Sequence, residues 1–98
     1  MSDNRKFNLN FSDFYKISVG DIVECRIRNI TPNRVFVKIE YVNRQASIYI
    51  RELTNQRLAN INDFEHNGVK LHIGQQLTAK VIRIDEKFGI QLSLKEVK

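Results

Sequence analysis

The sequence predicts an all-β protein whose five strands roll into a small barrel, with a short helix between the third and fourth strands. Three observations favour this fold class. Apolar and polar residues alternate in five short segments, which is the period of a half-buried strand. One segment, between the third and the fourth of these, has helical spacing instead. Strands this short cannot bury enough apolar surface as an open sheet, whereas a barrel covers most of their edges.

The first three strands follow one another closely, as in an antiparallel meander. The alternation runs through residues 23–27, 35–39 and 46–50, with turns between these segments. On the second strand the inward side chains are Val35, Val37 and Ile39. Phe36 is therefore expected to face outward, beside Lys38.

The helical segment comes next and is followed by the last two strands. Thr54 is a candidate N-cap, and Leu58, Ile61 and Phe64 recur at helical spacing. Period two then returns at 77–82 and at 90–95, on either side of a turn at 85–89. Three strands, a helix and two strands is the order of an OB-fold, a partly open five-stranded barrel. In that fold the face of strands two and three binds oligonucleotides or oligosaccharides.

A separate N-terminal aromatic arm, residues 1–16, is predicted to precede the barrel domain of residues 17–98. Part of the arm fits one face of a short helix. It could pack on the domain, bind a partner or a second copy, or fray. Its apolar residues are Phe7, Leu9, Phe11, Phe14 and Tyr15.

The charge of the chain is concentrated in one stretch. The 98 residues carry 16 basic and 11 acidic side chains, a net of +5. Residues 26–57 hold seven basic and two acidic residues, so this stretch accounts for the whole excess. Such a patch attracts a polyanion, although a merely solubilising surface would look the same.

Several function classes find no support in the sequence. No apolar run is long enough for a membrane span, and the N-terminus lacks the apolar segment of a signal peptide, so a cytoplasmic protein is expected. His66, His72 and the single cysteine, Cys25, lack the paired spacing of a zinc site. There is no nucleophile–base motif and no glycine-rich phosphate loop. We therefore expect no catalytic residues, no metal and no cofactor.

Six stretches, in order and covering residues 19–95, resemble the S1 RNA-binding domain family. The segment 61–64 is similar to that of small single-domain bacterial members linked to stress and translation. The six stretches are Val-Gly-Asp-Ile-Val at 19–23, Val-Phe-Val at 35–37, Ile-Tyr-Ile-Arg-Glu-Leu at 48–53, Ile-Gly-Gln-Gln-Leu at 73–77, Val-Ile-Arg-Ile-Asp at 81–85 and Gln-Leu-Ser-Leu-Lys at 91–95.

The chain departs from the family's pattern at positions that would contact RNA. The family usually has an aromatic-Gly pair before Val35, where this chain has Asn33 and Arg34. The family's histidine on strand three aligns with Tyr49, and its following serine with Arg51. Tyrosine keeps a ring for stacking, and Arg34 is a candidate to stack where the first aromatic is missing.

These residues predict an RNA-binding face built on two rings. Unpaired bases would stack on Phe36 and Tyr49 while basic side chains contact the phosphates. The alternative is that the arm or a loop covers the rings. The basic residues assigned to this site are Arg34, Lys38, Arg51, Arg28 and Lys80.

The function expected is non-catalytic binding of single-stranded RNA with low sequence specificity, in translation, RNA turnover or stress regulation. The ribosome and RNA-processing proteins are further expected partners, and a monomer is expected. The main alternative is a protein-interaction module that docks on a ribosome, polymerase or nuclease. A third is a fragment of a larger RNA-processing enzyme, although Met1 and the charged C-terminal tail favour a complete small protein.

Overall fold

The computed structural model describes residues 17–40, 42–95 and 97. The predicted N-terminal arm, residues 1–16, lies outside the described residues. The described residues form seven strands, five of which close a barrel in the order β1-β2-β3-β7-β6. The strands are β1 (Ile22–Ile30), β2 (Arg34–Ile39), β3 (Ala46–Tyr49), β4 (Glu65–His66), β5 (Val69–Lys70), β6 (Gln76–Asp85) and β7 (Gly89–Ser93).

The barrel closes where β3 meets β7. All the other neighbouring strands of the barrel are antiparallel, but these two run parallel, with Ala46 beside Ile90 and Ile48 beside Leu92. This pairing joins the first three strands to the last two. The predicted all-β, five-stranded OB-fold barrel is therefore confirmed.

The core fills the barrel with the apolar residues of the alternating pattern. Val35, Ile48, Ala79, Val81 and Leu92 have no exposed surface. Three of them, Val35, Ile48 and Val81, are β-branched, and such side chains pack well on a pleated surface. Neighbouring residues along a strand point to opposite faces. The residues next to the buried ones on β2 and β3 therefore point outward.

The predicted helix between strands three and four is not formed. The described residues of this region contain two 3₁₀ turns, Ile50–Glu52 and Ile61–Asp63, and no α-helix. Asn60 Oδ1 accepts from the Asn62 N–H at 2.8 Å, and Thr54 Oγ1 accepts from the Gln56 N–H at 3.2 Å. Short polar side chains that bond the nearby backbone in this way compete with helix formation. The helical spacing instead reflects packing, since Ile61 is buried and Leu58 and Phe64 pack against the core.

A short hairpin precedes β6, in a region that the sequence predicts to be a loop. Strands β4 and β5 pair through Glu65–Lys70 and His66–Val69, around the turn Asn67-Gly68. Both turn residues have positive φ, 55° and 81°, which is typical of a tight Asn-Gly hairpin turn. No helix of the described residues is long and apolar enough to cross a membrane.

Candidate nucleic-acid interface

The outer face of β2 and β3 carries the two rings that the sequence singles out. Arg34 lies directly opposite Tyr49 in the antiparallel pair, and Phe36 lies opposite Ser47. Since Val35 and Ile48 point into the core, Arg34, Phe36 and Tyr49 share the outer face. Both rings are half-buried. Phe36 and Tyr49 are diagonal neighbours on the two strands. At that separation one long side chain can contact both rings.

Arginine side chains link the rings into one continuous row. The Arg34 guanidinium carbon lies 4.6 Å from the centre of the Phe36 ring and 5.3 Å from the centre of the Tyr49 ring. Arg34 Nη1 also donates to Tyr49 Oη at 3.2 Å. The Arg51 guanidinium carbon lies 4.9 Å from the centre of the Tyr49 ring. We call Phe36, Arg34, Tyr49 and Arg51, in that order, the ring row.

The ring row is an ordered surface that still has hydrogen-bonding capacity. A guanidinium within about 6 Å of a ring centre contributes about 0.5–1 kcal/mol at an exposed site. Three such contacts hold the side chains of the ring row in place. Arg34 has five N–H donors, and its bond to Tyr49 is the one side-chain hydrogen bond it makes to a described residue. Flat apolar surface and cationic donors are thus presented together.

A groove next to Phe36 extends this face toward β1. We call it the Phe36 groove. Its volume is about 330 Å³, within the size range of small-ligand sites. The groove lies beside the loop between β2 and β3, and its lining residues are Arg28, Phe36, Val37, Lys38, Asn43, Arg44, Gln45 and Ala46.

The assigned basic residues do not all lie at the rings. Arg28 is exposed at a β-bulge of β1 and lines the Phe36 groove. Lys38 lies on β2 beyond Phe36, but its Nζ donates to the carbonyl oxygens of Ile39 at 3.1 Å and Val42 at 2.7 Å. Two of its three N–H donors are therefore used to hold the chain after β2.

Lys80 lies on a different wall of the barrel. It is on β6, next to Ile22 of β1 and Ser93 of β7. β6 is the one barrel strand that borders neither β2 nor β3. Because Ala79 and Val81 point into the core, Lys80 points outward from this wall. The structure therefore does not bring Lys80 to the ring row.

Arg44 was not predicted from the sequence to be a site residue, but it lines the Phe36 groove. Its Nη2 donates to the backbone carbonyl of Asp85 at 3.1 Å, so it joins the β2–β3 loop to the β6–β7 turn. The signal for it was present, since Arg44 belongs to the basic stretch 26–57. Because Arg44 is in a loop, the alternation of side chains along a strand could not predict the direction in which it points.

The groups with shifted pKa values lie away from the ring row. Asp85 Oδ1 accepts from the backbone N–H groups of Phe88 and Lys87, and these bonds lower the pKa of the carboxyl. Bonds from Gln76 and Thr78 lower the pKa of Glu24. Burial raises the pKa of the Cys25 thiol to about 12. Among the described residues no group of three or more His, Cys, Asp and Glu side chains could hold a metal ion.

Known proteins contain domains that are similar to this chain. The profile of the S1 RNA binding domain matches residues 16–95. The translation initiation factor 2 subunit alpha of Methanocaldococcus jannaschii is 39% identical over 80 residues, which are 80% of this chain and 28% of that protein. The polyribonucleotide nucleotidyltransferase of Halothermothrix orenii is 35% identical over 80 residues, which are 82% of this chain and 10% of that enzyme. The chain thus spans less than a third of the length of these relatives.

A solved structure agrees with the sequence relatives. The crystal structure of an a/eIF2alpha–aDim2p–rRNA complex from Pyrococcus horikoshii contains a chain that superposes with a TM-score of 0.70 at 32% identity. The match covers 84% of this chain and 46% of that chain. The likeness therefore extends over nearly the whole described barrel.

Proposed function

The chain belongs to the S1 RNA-binding domain family, and from that premise we propose that it binds single-stranded RNA with little sequence preference and without catalysis. The observation that carries the proposal is the ring row, in which Phe36, Arg34, Tyr49 and Arg51 alternate rings with guanidinium groups. Every base offers a flat face, so stacking on rings tolerates any sequence.

In the proposed mechanism, bases stack on the ring surface that the guanidinium groups leave uncovered. Arg34 and Arg51 use their remaining N–H donors on the phosphates. The RNA strand continues past the rings on the β1 side, where Arg28 and the Phe36 groove bind it. We assign Lys38 mainly to holding the chain after β2, because backbone carbonyls occupy its ammonium group. We leave Lys80 outside the interface.

The relatives support a role in translation or RNA turnover. One is a translation initiation factor subunit, one is a polyribonucleotide nucleotidyltransferase, and the solved neighbour is part of a complex with rRNA. We propose that this chain likewise acts on RNA in one of these processes. The match to the nucleotidyltransferase covers only 10% of that enzyme, so the proposal includes RNA binding and not its catalysis.

The decisive experiment separates stacking from simple apolar packing. Phe36→Leu and Tyr49→Leu keep apolar bulk but remove the flat ring, so each should weaken binding of fluorescent oligo-U by about 5- to 150-fold, equivalent to about 1–3 kcal/mol per stacked base. Phe36→Tyr and Tyr49→Phe keep a ring and should bind within a few-fold of the parent. The measurement is fluorescence anisotropy, with circular dichroism to confirm folding. Leucine variants that bind as tightly as the parent would reject the assignment of the rings.

The charge part of the mechanism predicts a salt dependence. Contacts from Arg28, Arg34 and Arg51 to three phosphates of a single strand give a slope of log affinity against log salt of about −2. The same anisotropy titrations, repeated at several salt concentrations, measure this slope. A slope near zero would contradict phosphate contacts.

A further inference from the structure

A second groove continues from the end of the ring row. It has a volume of about 290 Å³ and is bounded by the Ile50–Glu52 turn, the segment 54–58 and Lys95. We call it the Arg57 groove. Arg51 lines it and also contacts the Tyr49 ring, so the groove and the ring row share a side chain.

The groove is rich in cations and in polar donors. Arg51, Arg57 and Lys95 line it, together with the amide side chains of Asn55 and Gln56. Lys95 Nζ lies 3.9 Å from Glu52 Oε1, the one ion pair of these three cations with a described residue. Arg57 and both amides are exposed, and their side chains make no hydrogen bond to the described residues. This chemistry suits a phosphate and the polar edge of a base.

Backbone hydrogen bonds hold one side of the groove, the Ile50–Glu52 turn, in position relative to the rings. The Ile50 N–H donates to the Asn33 carbonyl at 2.9 Å, which ties the start of the turn to the β1–β2 connection. The Leu94 N–H donates to the Glu52 carbonyl at 2.9 Å, which ties the end of the turn to the segment after β7. Because both ends of the turn are held, Arg51 is presented from a backbone that needs little further ordering when a ligand binds.

We propose that the Arg57 groove is a second nucleotide subsite, which binds the backbone phosphate and base edge of RNA that extends beyond the ring row. This inference rests on the proposed function, since the shared Arg51 makes the groove the continuation of the ring row.

The test compares a short RNA that fills the rings alone with a longer one that also fills the groove. OB-folds bind about 4–16 nucleotides, so the probes are oligo-U of about four and about twelve nucleotides. Arg57→Gln should leave binding of the short probe unchanged. It should weaken binding of the long probe roughly tenfold, as expected for one lost charge-assisted bond, and should make the salt slope for that probe shallower by about 0.7.

Lys80→Gln is the matched control, because it removes one positive charge from the opposite wall of the barrel. It should change the binding of both probes equally and only slightly. A second measurement follows the side-chain amide signals of Asn55 and Gln56 by NMR. These signals should shift with the long probe and not with the short one.

The outcomes keep the two proposals apart. Equal loss of long-probe binding in Arg57→Gln and Lys80→Gln would overturn the groove as a subsite and indicate a general charge effect. Unchanged long-probe binding in Arg57→Gln would also overturn it, leaving the groove to another anionic occupant such as an acidic peptide. In either case, loss of short-probe binding in Phe36→Leu would still support the ring row. Unchanged short-probe binding in the leucine variants would reject the ring row itself.

Discussion

Arg34 is the residue that connects the two rings of the proposed interface. Its guanidinium contacts both Phe36 and Tyr49 and donates to the tyrosine hydroxyl. Arg51 contacts Tyr49 alone among the described rings. A guanidinium is planar and stacks on rings, whereas the ammonium of lysine is a compact point charge. The shape of the side chain at position 34 should therefore matter as much as its charge.

Arg34→Lys tests this distinction, because it keeps the charge and removes the planar group. We expect RNA affinity to fall by about fivefold or more, equivalent to about 1 kcal/mol, while the salt slope stays the same. Arg51→Lys, with one ring contact in place of two, should lose less. Anisotropy titrations at several salt concentrations measure both quantities. If Arg34→Lys bound like the parent protein, charge alone would account for the contribution of this residue.

At the scale of elements, the β6–β7 turn is held by local bonds and by a close approach to another loop. Asp85 accepts from two N–H groups within the turn. Gly89 ends the turn with φ of +84°, and a Cβ at this position would collide with the backbone carbonyl of Gln45. The same carbonyl accepts from the Ile90 N–H at 2.8 Å, next to the parallel pairing that closes the barrel.

Gly89→Ala should therefore destabilise the barrel more than backbone strain alone would. Gly20→Ala is the matched control, since Gly20 has φ of +101° with nothing within 4 Å of the added Cβ. We expect Gly20→Ala to lower the free energy of unfolding by about 1–2 kcal/mol. Gly89→Ala should lower it by at least about 1 kcal/mol more, because of the collision. Urea unfolding of both variants measures the difference, and equal losses would show that the approach of Gln45 is not a constraint.

At the scale of the whole molecule, the closed barrel protects its single cysteine. Cys25 lies inside β1 and is buried. Burial disfavours the thiolate and raises the pKa of the thiol to about 12. The thiolate is the reactive form, so the thiol should react only when the barrel opens. Because the folded pKa is the higher one, the folded state is relatively favoured below the unfolded pKa, and this contribution is lost as pH rises from about 9 toward 12.

Labelling of Cys25 with a chromogenic aromatic disulfide at about pH 8 measures this protection. The folded protein should react at least about 100-fold more slowly than the protein unfolded in urea, because both the ionised fraction and access are reduced. Gly89→Ala should label faster than the parent protein if opening of the barrel limits the reaction. Equal labelling rates in the folded and unfolded protein would contradict a buried thiol.

The alternation of apolar and polar residues predicted the buried residues of the strands that have one face in the core. Val35, Val37 and Ile39 are buried as expected, and so are Leu77 and Ala79. Between strands the same reasoning failed. The spacing of Leu58, Ile61 and Phe64 satisfied a helical pattern, although the polar residues between them favour turns. Apolar spacing reports which residues need burial, and more than one backbone path can supply it.

The sequence by itself determined the five strands of the barrel and the outward direction of Phe36 and Tyr49, because alternation along a strand is a local property of the backbone. Only the tertiary structure decided which cations accompany those rings. Arg34 lies between them, backbone carbonyls hold Lys38, and Lys80 is on the opposite wall. These relations join residues distant in sequence, and they arise only when β3 pairs with β7 and the barrel closes.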